Sequence, residues 1–199
     1  MTKKILITGA NGQLGHEMRN ALKGNNRFEC IFTDVAELDI CNTEAVKQTM
    51  ANNHIDYIVN CAAYTQVDKA EDNAELCKKI NTDAVENLAR AAADYGARMI
   101  HISTDYVFNG RGYRPYTEDM VPDPQSVYGS TKLEGEKILT DICPESIIIR
   151  TAWLYSPYGN NFVKTMLHLG EEREELSVVA DQIGTPTCAA VLAQAILVI

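Results

Sequence analysis

The stretch Lys3-Lys-Ile-Leu-Ile-Thr-Gly9-Ala-Asn-Gly12-Gln-Leu-Gly15 combines an apolar, β-branched run with three spaced glycines. Lys3–Thr8 predicts a buried strand, and the apolar spacing of residues 15–22 predicts a helix directly after the glycines. Between a strand and a helix, Gly9 permits a sharp turn, Gly12 lets the backbone approach a pyrophosphate and Gly15 allows close helix–strand packing. The free N–H groups of the helix start attract phosphates. The stretch therefore predicts a dinucleotide-binding turn.

Strands and helices alternate along the rest of the sequence. This alternation predicts an α/β fold, a Rossmann-type doubly wound parallel sheet covered on both faces. We assign residues 1–150 to an NAD(P)-binding domain. Residues 151–199 are assigned to the start of a small substrate-binding lobe plus returning Rossmann elements, an incomplete unit. The predicted strands are 28–34, 57–61, 98–103, 146–151 and 176–180, and the predicted helices are 43–52, 71–95 (broken near Asn81), 127–139, 162–169 and 189–199, with a loop over 110–124.

Composition and charge exclude several classes of protein. The 199 residues are 46% hydrophobic and 23% charged, which is typical of a soluble globular protein. A net charge of −9 argues against a nucleic-acid surface and against docking on a membrane. No apolar run is long enough for a secretory signal or a membrane span, and scattered cysteines without CxxC pairs predict reduced thiols in a cytoplasmic protein. The apolar end at residues 196–199 predicts that the sequence is the front portion of a longer protein.

Asp34 lies at the end of the second predicted strand, nineteen residues after Gly15. A carboxylate at this position accepts hydrogen bonds from the adenosine ribose hydroxyls and repels a 2′-phosphate. The glycine turn contains no Lys or Arg that would favour that phosphate. The residues alone therefore favour NADH, with Asp39 and Ile40 as further candidates at the adenine edge.

The segment Tyr128-Gly-Ser-Thr-Lys132 carries the strongest chemical signal. Residues four apart share one face of a helix, so the phenol and the ammonium can converge. A nearby Lys⁺ lowers the pKa of a tyrosine from about 10 towards the working pH. Thr104, at the end of the fourth strand, can donate a hydrogen bond to a substrate carbonyl, and we favour it over Ser103. Tyr128, Lys132 and Thr104 are thus the predicted catalytic residues.

Together these residues resemble the extended short-chain dehydrogenase/reductase superfamily. Further blocks are similar to the dTDP-4-dehydrorhamnose reductase family over residues 3 to about 187, and members of that family are longer than this chain. The blocks are Asn-Cys-Ala-Ala-Tyr-Thr-Gln-Val-Asp-Lys-Ala-Glu (60–71), Ser-Thr-Asp-Tyr-Val-Phe (103–108), Arg-Thr-Ala-Trp-Leu-Tyr (150–155) and Gly-Asn-Asn-Phe-Val-Lys-Thr-Met (159–166).

The resemblance implies hydride transfer from NADPH or NADH to the C4 ketone of dTDP-4-dehydro-L-rhamnose, giving dTDP-L-rhamnose. Tyr128 would protonate the alkoxide, Lys132 would lower the Tyr128 pKa and bind the nicotinamide ribose, and Thr104 would orient the ketone. A dTDP-sugar is the implied partner, and a homodimer is compatible with the resemblance. Cofactor contacts match Gly12, Gln13, Leu14, Asp39, Ile40, Ala63, Tyr64 and Thr65, beside Gly9, Asp34 and Lys132 above. Substrate contacts match Thr65, Val67, Thr104, Tyr106, Trp153 and Asn161.

The chain departs from the family pattern in two places. Val191 stands where the family usually has Asp. Some relatives bind Mg²⁺ through a Glu matching Glu17, but residues 188–192 offer no second carboxylate, so no metal site is predicted.

Asn81 matches an Asn that helps to organise the proton relay in many superfamily members, and a helix break is its equally weighted structural interpretation.

Two alternative functions stay open. A nucleotide-sugar dehydratase would carry Glu where this chain has Tyr106, which counts against dehydration. An epimerase or another nucleotide-sugar reductase is not excluded by the motifs, although residues 60–71 and the block around Trp153 match epimerases less well. A non-catalytic NADP-binding regulatory subunit, similar to the β subunit of methionine adenosyltransferase, is the other alternative. The intact set of Thr104, Tyr128 and Lys132 with Trp153 favours the reductase.

Overall fold

A computed structural model describes residues 2–199 and contains a central sheet of five parallel strands. The strand order is β2-β1-β3-β4-β5, so the chain places β2 on one side of β1 and then crosses to place β3 on the other. Crevices at such a switch point, outside the carboxyl ends of the strands, are where this architecture binds ligands. The predicted doubly wound sheet is confirmed. The strands are β1 Lys3–Thr8, β2 Phe28–Phe32, β3 Tyr57–Asn60, β4 Arg98–Thr104 and β5 Ile147–Thr151.

Eight α-helices and a small second sheet complete the described part of the chain. The second sheet pairs β6 with β7 in parallel and lies beyond the end of β5. A π-helical turn, Lys79–Asp83, joins the fourth and fifth helices, and a 3₁₀ turn, Asp105–Val107, follows β4. The remaining elements are α1 Gln13–Ala21, α2 Thr43–Asn53, α3 Val67–Asp72, α4 Ala74–Lys78, α5 Ala84–Tyr95, α6 Val127–Ile142, β6 Leu154–Tyr155, α7 Phe162–Glu172, β7 Thr187–Cys188 and α8 Ala189–Ile196.

The helices cover both faces of the sheet because successive strand residues point to opposite sides. Leu6 of β1 faces the layer formed by α2, α5 and α6, together with Ile58 of β3. The neighbouring residue Ile7 faces the other layer, where it joins Met18 of α1 and Leu192 of α8 in one buried cluster. Because apolar layers cover both faces of the sheet, the central strands have continuous apolar sequences.

Two sequence predictions need correction. Residues 176–180 do not form a strand, and Val178 and Val179 are 52% and 68% exposed. β-Branched residues favour strands, but a strand needs a neighbour to complete its hydrogen bonds, and no described strand pairs with this segment. The predicted helix 71–95 begins earlier, in α3, and is broken at Asn73, where the backbone leaves the helical region. At Asn81 the helix continues as a π turn with helical dihedral angles at both of its ends, so the break predicted there is a change of helix type and not an interruption.

The glycine turn has the geometry that its spacing predicts. Gly9 adopts a left-handed φ of +62°, and a Cβ there would lie 2.6 Å from the backbone nitrogen of Ala62. A Cβ on Gly15 would collide with the carbonyl oxygen of Gly9 and with the backbone of Ala10. The first glycine therefore permits the bend from β1 towards α1 close to the segment after β3, and the third permits α1 to pack against that turn.

We expect Gly9→Ala to destabilise the fold by about 2–4 kcal/mol, because it adds a backbone collision to the cost of left-handed alanine. Gly24→Ala is the matched control: Gly24 also has a left-handed φ, +77°, but nothing lies within 4 Å of its Cβ position. The control should cost only about 1–2 kcal/mol. Urea unfolding measures both variants, and equal losses would contradict the close approach of β1 and β3.

Candidate active site

A cavity of about 1180 Å³ opens at the carboxyl ends of the strands, at the switch point between β1 and β3. It brings together residues that are far apart in the sequence. Two predicted site residues, Tyr64 and Asn161, do not line it. The predicted residues that do line it are Gly9, Gly12, Gln13, Leu14, Asp34, Asp39, Ile40, Ala63, Thr65, Val67, Thr104, Tyr106, Tyr128, Lys132 and Trp153.

The glycine turn forms one end of the cavity. Gly12 is the N-cap of α1 and offers no side chain to cap the first-turn N–H groups. Such N–H groups, at the positive end of the helix dipole, suit a pyrophosphate. Asp34 braces the turn: its carboxylate oxygens accept from the backbone N–H groups of Asn11 and Val35, both at 2.9 Å. These features fit the phosphates and the ribose of a dinucleotide.

Tyr128 projects into the opposite end of the cavity from α6. Ser126 caps this helix by accepting from the backbone N–H of Gly129 at 3.0 Å. The Tyr128 ring meets that of Tyr106 edge-on, with ring centroids 5.5 Å apart. Burial raises the pKa of Tyr128 to about 12, although the hydrogen bond with Thr104 opposes the shift. The phenol therefore keeps its proton at neutral pH, which is the form that a proton donor needs.

Lys132 lies one helical turn further along α6 and is almost completely buried. Its Nζ donates to the carbonyl oxygen of Ile102 at 2.6 Å and lies 3.1 Å from Nε2 of His101. Burial lowers the pKa of Lys132 to about 8, and the carboxylate of Glu136 opposes the shift. Glu136 is itself paired with Arg150, at 2.6 Å.

The prediction that Lys132 lowers the pKa of Tyr128 is wrong for this structure. The loss of solvent around the phenol has the larger effect, and Lys132 does not contribute to the shift. The physical reason is visible in the geometry, because the amine points towards β4 and bonds to Ile102 rather than to the phenol.

Hydroxyl groups cluster where β4 and β5 end. Thr104 lies opposite Thr151 in the sheet, and its Oγ1 accepts from the backbone N–H of Tyr106 at 3.2 Å. Ser103 Oγ and Thr151 Oγ1 are buried without a hydrogen-bond partner, and both residues line the cavity. Unpaired buried hydroxyls at the floor of a cavity suit a polar ligand. Burial also raises the pKa of the neighbouring Asp105.

The two predicted residues outside the cavity support its walls. The backbone N–H of Tyr64 donates to Oδ1 of Asn81 at 2.9 Å, and Nδ2 of Asn81 donates to the backbone carbonyl of Tyr64 at 3.1 Å. Asn81 therefore anchors the segment after β3 through the π turn, and its amide bonds do not reach Lys132. Asn161 caps α7 and donates to Oε1 of Gln13 at 2.9 Å, which ties the loop after β6 to the glycine turn.

Trp153 adopts a left-handed φ of 48°, which costs a non-glycine residue about 1–2 kcal/mol. Its backbone is held by the second sheet, where its carbonyl accepts from the N–H of Thr187. Gly184 packs so closely on the indole that a Cβ there would lie 2.9 Å from the ring. The ring is 45% exposed and lines the cavity. Strain retained at a cavity wall is typical of a ligand-binding position.

Several lining residues escaped the sequence analysis. Leu76, Lys79 and Ile80 reach the cavity because α4 and the π turn pack against α6, and no local pattern signals that packing. Other lining residues immediately follow the ends of strands, and this position could have identified them as candidate site residues. The further lining residues are Asn11, Val35, Leu38, Cys41, Cys61, Ala62, Gln66, Ile102, Ser103, Asp105, Thr151, Ala152, Leu154, Gly159 and Asn160.

Within residues 2–199 no three His, Cys, Asp or Glu side chains are grouped so that they could hold a metal ion. Glu17 is buried on α1, and its Oε2 accepts from Nδ2 of Asn20 at 3.2 Å. Val191 is exposed on α8. Over the same described range, every helix is too short or too polar to cross a bilayer.

The model of the RmlD substrate binding domain family matches residues 3–199. The chain belongs to this family. Among curated proteins, this RmlD-family chain is 48% identical over 193 residues to dTDP-4-dehydrorhamnose reductase of Escherichia coli (strain K12). The alignment covers 95% of the chain but 64% of that relative, so the chain spans less than two thirds of the relative's length.

Solved structures support the same placement. A dTDP-4-dehydrorhamnose reductase from Clostridium acetobutylicum superimposes on the RmlD-family chain with a TM-score of 0.95 at 52% identity, covering 98% of the chain and 69% of that structure. A dTDP-4-dehydrorhamnose reductase from Bacillus anthracis, solved in complex with NADP, gives a TM-score of 0.96 at 44% identity, covering 99% and 70%. The family resemblance identified from the sequence is confirmed.

Trp153 is the only tryptophan of the chain and lines the cavity, so its fluorescence reports on occupancy. We expect titration with NADH to change Trp153 emission in parallel with the binding signal of NADH itself. Trp153→Phe is the control, and it should bind NADH without the tryptophan signal. Binding of NADH that leaves the Trp153 emission unchanged would contradict the placement of this residue in the dinucleotide cavity.

Proposed function

We propose that this RmlD-family protein reduces the C4 ketone of a dTDP-4-dehydro-6-deoxysugar, dTDP-4-dehydro-L-rhamnose, to the alcohol, giving dTDP-L-rhamnose. The observation that carries the proposal is one cavity lined by the glycine turn, by Thr104 and Tyr128 and by Trp153. A dinucleotide site and a carbonyl-reducing acid therefore face the same space. The names of the relatives, which are reductases of this substrate class, support the choice of sugar.

NADH or NADPH, when bound between the glycine turn and Lys132, supplies the hydride. Thr104 and Tyr128 hold the substrate ketone by donating hydrogen bonds to its oxygen. Tyr128 then transfers its proton to the oxygen as negative charge develops there, and the high pKa of the phenol keeps that proton available beforehand. Lys132, beside the phenol on α6, binds the ribose and assists reprotonation of Tyr128 from solvent.

The substrate end of the site lies around Trp153 and the segment after β3. The exposed indole offers an apolar face on which a sugar ring can pack. Thr65 and Val67 form the adjoining wall, and Tyr106 closes the space beside the acid. Asn161 acts indirectly, because its amide holds Gln13 and the loop after β6 in place.

Residue 106 distinguishes reduction from dehydration. A dehydratase of this superfamily places a carboxylate base here to remove a carbon-bound proton, whereas this chain has a tyrosine whose pKa is raised by burial. A neutral phenol cannot act as that base. We further assign residues 1–150 to NAD(P) binding and 151–199 to the start of the substrate lobe plus returning Rossmann elements, and we propose a cytoplasmic protein that is compatible with a homodimer.

The direct test is oxidation of NADH and NADPH in the presence of enzymatically generated dTDP-4-dehydro-L-rhamnose. Tyr128→Phe should lower the rate by about 10²–10⁴-fold, because it removes the proton donor. Tyr95→Phe, an exposed tyrosine at the end of α5, is the matched control and should keep full activity.

The outcome separates the candidate functions. Turnover that is lost in Tyr128→Phe while NADH still binds supports the reductase. Cofactor binding without turnover in the wild-type chain and in a chain of the relatives' length would overturn the proposal in favour of a regulatory subunit. Turnover that survives in Tyr128→Phe would remove Tyr128 from its proposed role.

Asp34 should discriminate between the two cofactors. Its carboxylate lies beside the glycine turn, which contains no Lys or Arg to offset it. We expect Asp34→Asn to raise the ratio of NADPH affinity to NADH affinity by roughly five- to tenfold, because repulsion of the 2′-phosphate is relieved. Equilibrium binding of both cofactors measures the ratio. Glu29→Gln, which changes an exposed charge elsewhere on β2, is the control, and an equal change there would refute a local effect.

A further inference from the structure

A row of buried hydrogen bonds crosses the sheet from β1 to Lys132. Oγ1 of Thr8 donates to Oδ1 of Asn60 at 2.6 Å, and Nδ2 of Asn60 lies 3.0 Å from Nδ1 of His101. On the other side of the ring, Nε2 of His101 lies 3.1 Å from Nζ of Lys132. All four side chains are buried. Thr8, Asn60 and His101 do not line the cavity, so each proton between them must lie between a donor and an acceptor that the protein itself provides.

The backbone fixes the direction of the row. The N–H of Ala62 donates to Oδ1 of Asn60 at 3.1 Å, and a backbone N–H cannot act as an acceptor. Nδ2 of Asn60 therefore faces His101, and an amide nitrogen only donates. Nδ1 of His101 must accept, which leaves the proton of the neutral ring on Nε2. Burial holds the pKa of His101 well below its usual value, so the ring stays neutral.

This tautomer determines the protonation state that Lys132 can adopt. Nε2–H of His101 points at Nζ, which has to accept through a lone pair, and an ammonium has none. A neutral amine accepts from His101 and still donates to the carbonyl of Ile102. Burial lowers the pKa of Lys132 to about 8, which brings the neutral amine within ordinary pH. The other titratable groups that face Lys132 are Cys61 after β3, Cys77 on α4 and Glu136 on α6, the last paired with Arg150 of β5.

We propose that Asn60 and His101 are positioning residues whose hydrogen bonds favour the neutral amine of Lys132 over its ammonium in the free protein. The neutral amine then predominates above about pH 8 before the cofactor binds. When Lys132 takes up a proton from solvent, its ammonium needs Nε2 as an acceptor. The ring proton then moves to Nδ1, where it opposes Nδ2 of Asn60, and that hydrogen bond is lost. An anionic dinucleotide favours the ammonium, so its binding draws a proton onto Lys132. This coupling rests on the proposed function, but the tautomer of the free protein does not.

The tautomer can be observed directly in the protein without any ligand. Two-bond ¹H–¹⁵N correlation spectra of protein labelled with [¹⁵N]histidine distinguish the two neutral tautomers and the imidazolium. The chain has four histidines, and His101→Gln assigns the relevant signal. At about pH 9, above the lowered pKa of Lys132, we expect Nε2–H for His101. An Nδ1–H tautomer or an imidazolium under these conditions would overturn the proposal.

Asn60→Asp replaces the amide by a carboxylate of nearly the same shape and reverses the direction of the hydrogen bonds that join residue 60, His101 and Lys132. The carboxylate still accepts from Thr8 and Ala62, but it also accepts from Nδ1–H of His101, so Nε2 becomes an acceptor for a charged Lys132. We expect the Nδ1–H tautomer and a higher pKa for Lys132 in this variant. Dissociation constants for NADH measured across pH provide the second readout. In the wild type the affinity should weaken above about pH 8, by up to about tenfold per pH unit, and in the variant this decline should begin about one pH unit higher.

Identical pH dependence in the two proteins would contradict the proposal. The spectrum of the wild type decides the tautomer even where Asn60→Asp does not fold. Neither readout uses the sugar substrate, so a failed reductase assay leaves them intact. Conversely, absence of turnover in this chain and in a chain of the relatives' length would overturn the proposed function, while the Nε2–H tautomer of His101 would still support this inference.

Discussion

The burial of Lys132 beneath the carboxyl ends of the strands constrains the rest of the site. A buried amine must be hydrogen-bonded, and its partners come from β4 through His101 and Ile102. His101 is in turn fixed by Asn60 of β3, which accepts from Thr8 of β1. The three central strands and α6 are thereby joined by polar contacts at the point where the strand order reverses. The same contacts place Tyr128, one helical turn away, beside Thr104.

The fold and most of the cavity follow from local signals. The glycine turn predicts β1 and α1 because left-handed Gly9 and closely packed Gly15 leave few alternatives, and the tyrosine and lysine four residues apart predict one face of α6. Residues 176–180 do not form the predicted strand, because a high β-propensity does not by itself supply a neighbouring strand with which to pair. The sequence predicts a lowered pKa for Tyr128, but the structure raises it. The sequence shows neither the burial of the Tyr128 phenol nor the direction in which Lys132 points.

The predicted residues outside the cavity illustrate a second limit of sequence reasoning. A family motif marks positions that matter, but it does not separate contact with a ligand from support of a residue that makes the contact. Tyr64 uses its backbone to bind Asn81, and Asn161 uses its amide to hold Gln13. Hydrogen-bond partners that are distant in the chain decide between these roles, and only the folded structure identifies them.

In the proposed reaction, hydride reaches C4 of a nucleotide-linked sugar in the cavity at the switch point. The most direct test uses NADH carrying deuterium at the transferable position, with NMR analysis of the product sugar. We expect deuterium at C4 of the dTDP-sugar, on one face only, because in the proposed mechanism the ketone lies between the dinucleotide and Tyr128. A product without deuterium, or with deuterium at another carbon, would contradict it.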